Sequence, residues 1–254
     1  MTGKIHIFPD KQALNSAVAQ AWQKLSAAAI NERGAFHVAL SGGSTPKSLF
    51  QLLASPEWRE RFDWQHIHIY FGDERCVPAD HPDSNYRMAR EAMLDQLAIP
   101  ASNVHPILIN AQDVNASAQA YQQVLQTHLP KTESGMPQFD VMLQGIGDDG
   151  HTASLFPGTD ILQECDKWVA AVHVAKLDAW RISVTFPVID HARCIMMLAA
   201  GAGKAKIMHE LLAMPPAATP YPVQMIQPHG DMQWYLDSAA AGLLATAIIE
   251  SQNV

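Results

Sequence analysis

Residues 35–53 read AFHVALSGGSTPKSLFQLL. The stretch holds a short apolar strand, a tight glycine- and serine-rich turn, and the start of a helix. Thr45 is expected to be the N-cap, with Pro46 at the first helical position, where proline's fixed φ is favoured. The glycines let backbone come close to a ligand. Free N–H groups and the helix dipole then favour an anion such as phosphate. The same pattern also suits a plain strand-to-helix turn, and glycine-rich turns of that kind are common in α/β sheets. It is neither a GxGxxG dinucleotide fingerprint nor a GxSxG nucleophile elbow.

Outward from this unit the pattern recurs. KIHIF (residues 4–8) alternates as a strand, and Pro9 and Asp10 open a helix through about Asn31. HIHIYF (66–71) is a strand before GDERCVP, and SNYRMAREAMLDQL (84–97) and residues 116–129 are helices. FDVML (139–143), KWVAAVHV (167–174), RISVTFP (181–187) and CIMMLAA (194–200) read as strands. KAKIMHELLA (204–213) is a helix, and a last helix is expected over 235–250. Such alternation predicts an α/β fold: a doubly wound, mainly parallel sheet with helices on both faces. Residues 130–138 and 214–222 read as surface loops, because the pattern resumes after each. Residues 1–254 are therefore expected to form a single domain.

A chain of 254 residues buries roughly 70–75% of its unfolded surface and needs no disulfide or structural metal. The net charge of −8 argues against general nucleic-acid binding. It leaves room for a phosphorylated ligand, which a few focused cations can hold. Cys76, Cys165 and Cys194 show no CxxC pairing and read as free thiols in a reducing compartment. There is no apolar signal core near the start and no stretch that would span a bilayer. The expectation is a cytoplasmic protein without membrane or nucleic-acid partners.

Three further turns carry chemistry. YFGDERCVPADHPDSNYRMA (70–89) places Asp73, Glu74 and Arg75 at the carboxyl end of a strand, the ligand side of an open α/β sheet. Asp73 and Arg75 share a side if extended backbone persists beyond Gly72. QGIGDDGHTASLFPG (144–158) packs four glycines, Asp148, Asp149 and His151 into one loop after a buried strand. Most of the 12 histidines must be ordinary polar residues, but His151 has carboxylates beside it that can fix its tautomer and raise its basicity. Lys204 sits in GAGKA, which departs from a P-loop at Leu198 and Ala205. KLDAWRISVTFP (176–187) contributes Lys176 and Arg181. No HExxH or paired-cysteine pattern suggests a metal.

Taken together, LSGGSTP, GDERCVP with HPDSNY, GIGDDGHTASLFPG, RISVTFP and GAGKA resemble the glucosamine-6-phosphate isomerase/6-phosphogluconolactonase family, on its lactonase side, from about residue 5 to the C-terminus. GDDGHTASLFPG is the most specific part. The resemblance implies hydrolysis of 6-phospho-D-glucono-1,5-lactone to 6-phospho-D-gluconate in the pentose phosphate pathway, with a small phosphosugar lactone as partner and no metal or organic cofactor. By motif, Ser41, Gly42, Gly43, Ser44 and Thr45 would cradle the 6-phosphate with Arg181 and Lys204. His151 would be the general base, with Asp149 and Asp73 as its catalytic carboxylates. Asp73, Arg75 and Asp149 would line the sugar.

Two rivals share the likeness. The deaminases of the family usually carry glutamate five residues after the histidine, where Phe156 stands here, and DEY where this chain has DER. A phenylalanine cannot serve as an acid or base. A non-catalytic sugar-phosphate sensor is the other, normally preceded by a helix-turn-helix, for which the chain shows no room before its first strand. KLDAWR also departs from the family's proline-rich KPP segment, which puts Lys176 in doubt as a ligand more than Arg181. The sequence leaves the oligomeric state unknown.

Overall fold

The computed structural model describes residues 3–214 and 218–244. The middle of the 214–222 loop and residues 245–250 of the expected last helix therefore lie outside the described residues. In chain order the elements are β1 (Lys4–Phe8), α1 (Lys11–Arg33), β2 (Phe36–Leu40), α2 (Ser44–Leu53), the single turn α3 (Pro56–Arg59), β3 (Ile67–Phe71) and β4 (Asp73–Arg75). Then come α4 (Asn85–Ala92), α5 (Val114–His128), β5 (Val141–Gln144), β6 (Val169–Val174), β7 (Ala179–Val184), the short α6 (Phe186–Asp190), β8 (Cys194–Ala199), α7 (Ala205–Leu212) and β9 (Asp231–Asp237).

Six strands form the main sheet in the order β1-β9-β8-β5-β2-β3, with every neighbouring pair parallel. The expected doubly wound α/β fold is present. Its inner strands are apolar because both faces are covered: every residue of β2, β5 and β8 is buried. The long helix α1 packs on β1, β2 and β9. Asp10 starts it by accepting a hydrogen bond from the Ala13 N–H, and Gly34 ends it at φ 82°.

Three expectations need correction. Residues 235–237, expected to open the last helix, instead end strand β9 (Asp231–Asp237), inserted between β1 and β8. Residues 238–244 that follow are turns. Helix α2 starts at Ser44, with Gly43 rather than Thr45 as its N-cap. Gly43 takes φ 105°, a conformation that a residue with a Cβ resists. Finally, RISVTFP and KWVAAVHV do not extend the main sheet. They form β7 and β6 of a separate antiparallel sheet, ordered β4-β7-β6, with α5 packed on it. Arg181 is the third residue of β7, not its opener.

Among the described residues no helix is long and apolar enough to cross a membrane.

Candidate active site

The turns after β2, β3, β5 and β8 all leave the carboxyl edge of the parallel sheet, and the small sheet stands beside them. Beyond Gly72 the chain stays extended as β4, tied by the Gly72 N–H to the Leu40 carbonyl and by the Val184 N–H to the Gly72 carbonyl. Alternation in a strand then puts Asp73 and Arg75 on one face, as the sequence left conditional. On the partner strand Asp73 pairs with Ser183 and Arg75 pairs with Arg181. Two guanidinium-bearing residues therefore sit directly opposite each other, an arrangement that destabilises a sheet unless something negative lies between them. Arg181 makes no ion pair among the described residues, and its buried Nε–H has no acceptor. Burial pulls its pKa below the usual arginine value, with the nearby Arg75 charge acting in the same direction and Asp73 opposing.

Asp73 is fixed from two sides. Its carboxylate accepts from the Ser154 hydroxyl at 2.7 Å, and the Asn85 amide donates to its backbone carbonyl at 2.9 Å. The Asn85 oxygen accepts from Arg75, whose guanidinium also donates to the Asp83 carbonyl at 2.8 Å. Asn85 also presses on Gly42, where any Cβ would collide with its amide. One side chain thus joins the 41–45 turn, Asp73 and Arg75. Its own position comes from Glu74, buried beneath α4, which accepts from the Asn85 N–H at 2.7 Å and the Tyr86 N–H at 2.8 Å. Those are orphan donors of a helix N-terminus. Glu74 is a cap, not a ligand of the site.

His151 lies across the loop after β5. Its Nδ1 is 2.5 Å from Asp149 Oδ1. An ionised carboxylate only accepts, so Nδ1 carries the hydrogen and Nε2 presents its lone pair. The other Asp149 oxygen accepts from Lys176, which arrives from the β6–β7 turn. Gly147 is required here because a Cβ would overlap the His151 ring. Burial holds the imidazole down at about 4; Arg181 and Lys204 push in the same direction, and Asp73 and Asp148 oppose. His151 is thus neutral at pH 7. Lys204 donates to Asp148 at 2.7 Å, and this contact holds the Asp148 carboxyl below its ordinary value. Ala153 adopts φ 47°, rare for a residue with a Cβ, as the chain turns to bring Ser154 to Asp73.

The structure brings together Asp73, Arg75, Asp149, His151, Arg181 and Lys204, and it sets Ser41 and Gly42 beside Gly145 at the foot of the His151 loop. No hydrogen bond or ion pair among the described residues joins Ser44 or Thr45 to this group; Lys11 donates to the Ser44 carbonyl at 2.9 Å. Sequence reasoning missed Asn85 and Ser154 as members, although both lie inside the quoted motifs HPDSNY and GHTASLFPG. It left Lys176 in doubt, and the structure places it on Asp149. Asp237 was invisible beforehand: from the end of β9 both its oxygens accept the Gly201 N–H at 2.9 Å, anchoring the turn before Lys204. Among the described residues, no cluster of three or more His, Cys, Asp or Glu side chains has the arrangement to hold a metal ion.

The family model described as glucosamine-6-phosphate isomerases/6-phosphogluconolactonase matches residues 9–234. The chain belongs to that family. A 6-phosphogluconolactonase of Synechocystis sp. is 46% identical over 215 residues, covering 84% of this chain and 86% of the relative. One from Nostoc sp. is 39% identical over 245 residues, covering 96% of this chain and all 100% of the relative. The solved 6-phosphogluconolactonase of Trypanosoma cruzi superposes with a TM-score of 0.84 at 31% identity, over 96% of this chain and 97% of that one.

Proposed function

We propose that this chain is a carboxylic ester hydrolase that opens 6-phospho-D-glucono-1,5-lactone to 6-phospho-D-gluconate, a step of the pentose phosphate pathway. The observation that carries this is the Arg75–Arg181 cross-strand pair beside a neutral, carboxylate-oriented His151. The two arginines call for an anion, and the imidazole offers a base. The likeness to 6-phosphogluconolactonases at 46% and 39% identity supplies the substrate class.

In the proposed mechanism Arg181, Arg75 and the backbone N–H groups of residues 41–45 hold the 6-phosphate. Lys204 exchanges Asp148 for that phosphate. Nε2 of His151 takes a proton from water as the hydroxyl adds to the lactone carbonyl. The tetrahedral oxyanion collapses, the ring C–O bond breaks, and the imidazolium returns its proton to the leaving ring oxygen. Asp149 steadies the transient imidazolium, and Asp73 lines the sugar. A lactone is already an activated ester, so general-base help of about 10²–10⁴ is a large part of what the reaction needs. No covalent nucleophile or metal enters the scheme.

Phe156 stands where the family's deaminases usually carry glutamate, and it is buried and apolar. That leaves amino-sugar ring opening without its extra acid–base group. The test is the loss of freshly made 6-phosphogluconolactone, with spontaneous hydrolysis subtracted, alongside glucosamine 6-phosphate as a second substrate. Rapid lactone loss that survives EDTA, with no ammonia from the amino sugar, is the expected result. A rate equal to buffer would overturn the assignment; ammonia release would replace it with the deaminase.

A further inference from the structure

Phe156 is 2% exposed, yet three groups that are or can become cationic gather on its ring. The His151 imidazole stacks on it with centroids 3.9 Å apart and planes 23° apart. The Lys176 Nζ lies 4.8 Å from the ring centroid and the Arg181 guanidinium carbon 5.6 Å. All fall within the ~6 Å range in which an aromatic quadrupole attracts a cation. They come from separate parts of the chain: the loop after β5, the β6–β7 turn and strand β7. Asp149 already ties His151 to Lys176; Phe156 is the side chain that meets both of them and Arg181.

The kind of contact matters for an anion site. A carboxylate holds a guanidinium by occupying its N–H donors and cancelling its charge. A ring face holds it without doing either. Lys204 shows the first arrangement, paired to Asp148 at 2.7 Å. Arg181 shows the second: it has the ring, no carboxylate partner among the described residues, and a free Nε–H. We propose that Phe156 is a positioning residue, an aromatic platform that gathers Arg181, Lys176 and His151 while leaving the donors of Arg181 available to an anionic ligand. The identity of that ligand rests on the sugar-phosphate assignment; the gathering of the three groups does not.

A ring that merely filled space would have the same burial. The two roles separate through the ring's electrons. Progressive fluorination of Phe156, from one to three fluorines, weakens the quadrupole at nearly constant shape, and Phe156→Leu removes it. Thermal unfolding checks that each variant folds. If Phe156→Leu does not fold, the near-isosteric fluorinated series decides alone. The readouts are calorimetric affinity for 6-phospho-D-gluconate and the NMR titration of His151 without ligand. Affinity should fall stepwise, reaching about 2- to 30-fold, which is the ~0.5–2 kcal/mol of a cation–π contact at 1.4 kcal/mol per tenfold. The His151 pKa should fall stepwise too, because the imidazolium loses the ring's attraction. A series that folds normally with affinity and titration both unchanged overturns the platform. Should the unmodified protein not bind 6-phospho-D-gluconate, the sugar-phosphate assignment fails, and the His151 titration alone still decides for or against the platform.

Discussion

Histidines withdrawn from solvent in whole or part lie at both ends of the main sheet, and the two settings behave differently. At the carboxyl edge, His151 stands among Asp73, Asp149, Lys176, Lys204 and Arg181. Near the amino ends of β2 and β3, His37 and His68 are register partners. They begin a ladder of rings that runs on through His105 to His128, at centroid separations of 4.8, 5.6 and 4.6 Å. Burial lowers His151 to about 4, His105 to about 4 and His37 to about 3. A depressed histidine pKa therefore does not mark the site. The partners do. In the ladder, polar atoms meet one another: His37 Nδ1 is 3.2 Å from the Tyr70 hydroxyl, and His68 Nδ1 is 3.3 Å from His105 Nε2. Around His151, two arginines face each other and the buried Arg181 Nε–H has no acceptor. The ladder is satisfied as folded; the site is not.

The largest effect expected from this contrast is kinetic. His151→Ala should lower kcat for lactone hydrolysis by about 10²–10⁴ with KM little moved, because a base acts in the transition state. His37→Phe should leave kcat within about twofold, a ladder residue having no transition-state role. Initial rates for both variants make the check, and a collapse in the second would erase the distinction. The pH profile adds to it: kcat/KM should hold through neutral pH and drop only as the pH approaches about 4, where His151 takes up a proton. An acid limb near 6.5 would contradict the burial described for His151.

Next in size is acid stability, which belongs to the ladder. His37 and His105 are held below their ordinary 6.5 in the folded chain, chiefly by burial. In the unfolded chain they protonate as the pH falls through that value, while the native rings stay neutral. Their contribution is therefore complete above pH 6.5 and is lost as the pH falls toward 4 and below. Each adds a slope of about 1.4 kcal/mol per pH unit in that window. Urea unfolding between pH 7 and 4.5 should show this steepening, and replacing His37 and His105 with apolar residues should flatten it. The same slope in the double variant would assign it elsewhere.

The smallest of the three is a binding effect at the other edge. Arg181→Ala should raise KM by at least about tenfold, the loss of one charge-assisted contact, with a lesser change in kcat. Removing Arg181 also ends the cost of burying that guanidinium, the chief cause of its lowered pKa. Stability without ligand should therefore hold or rise. An unaltered KM would take Arg181 out of the anion site.

How much was legible beforehand differs element by element. The strand–turn–helix at 35–53 declared itself, since an apolar run, two glycines and a proline are all local signals. β9 did not. Five of its seven residues are buried, so it carries no clean alternation, and a strand covered on both faces cannot be told from a buried helix by period. The run of small apolar residues after it favoured helix. β4 is three residues long and exists only because β7 pairs with it. Phe156 was noticed as a departure from a deaminase glutamate, but nothing local says that a lysine and an arginine from another sheet will lie on its face.

By itself the sequence determined the α/β alternation, the four glycine- and charge-rich turns, and His151 as the candidate base. Each rests on short-range physics: periodicity, backbone freedom at glycine, helix capping, and two acids placed within three residues of a histidine. Only the tertiary structure decided that Arg75 lies opposite Arg181, that Asn85 joins the first two motifs, and that Ser154 holds Asp73. Those contacts join residues far apart in the chain, and they depend on the register of β4 on β7. That register is set by the packing of whole strands, which no local stretch encodes.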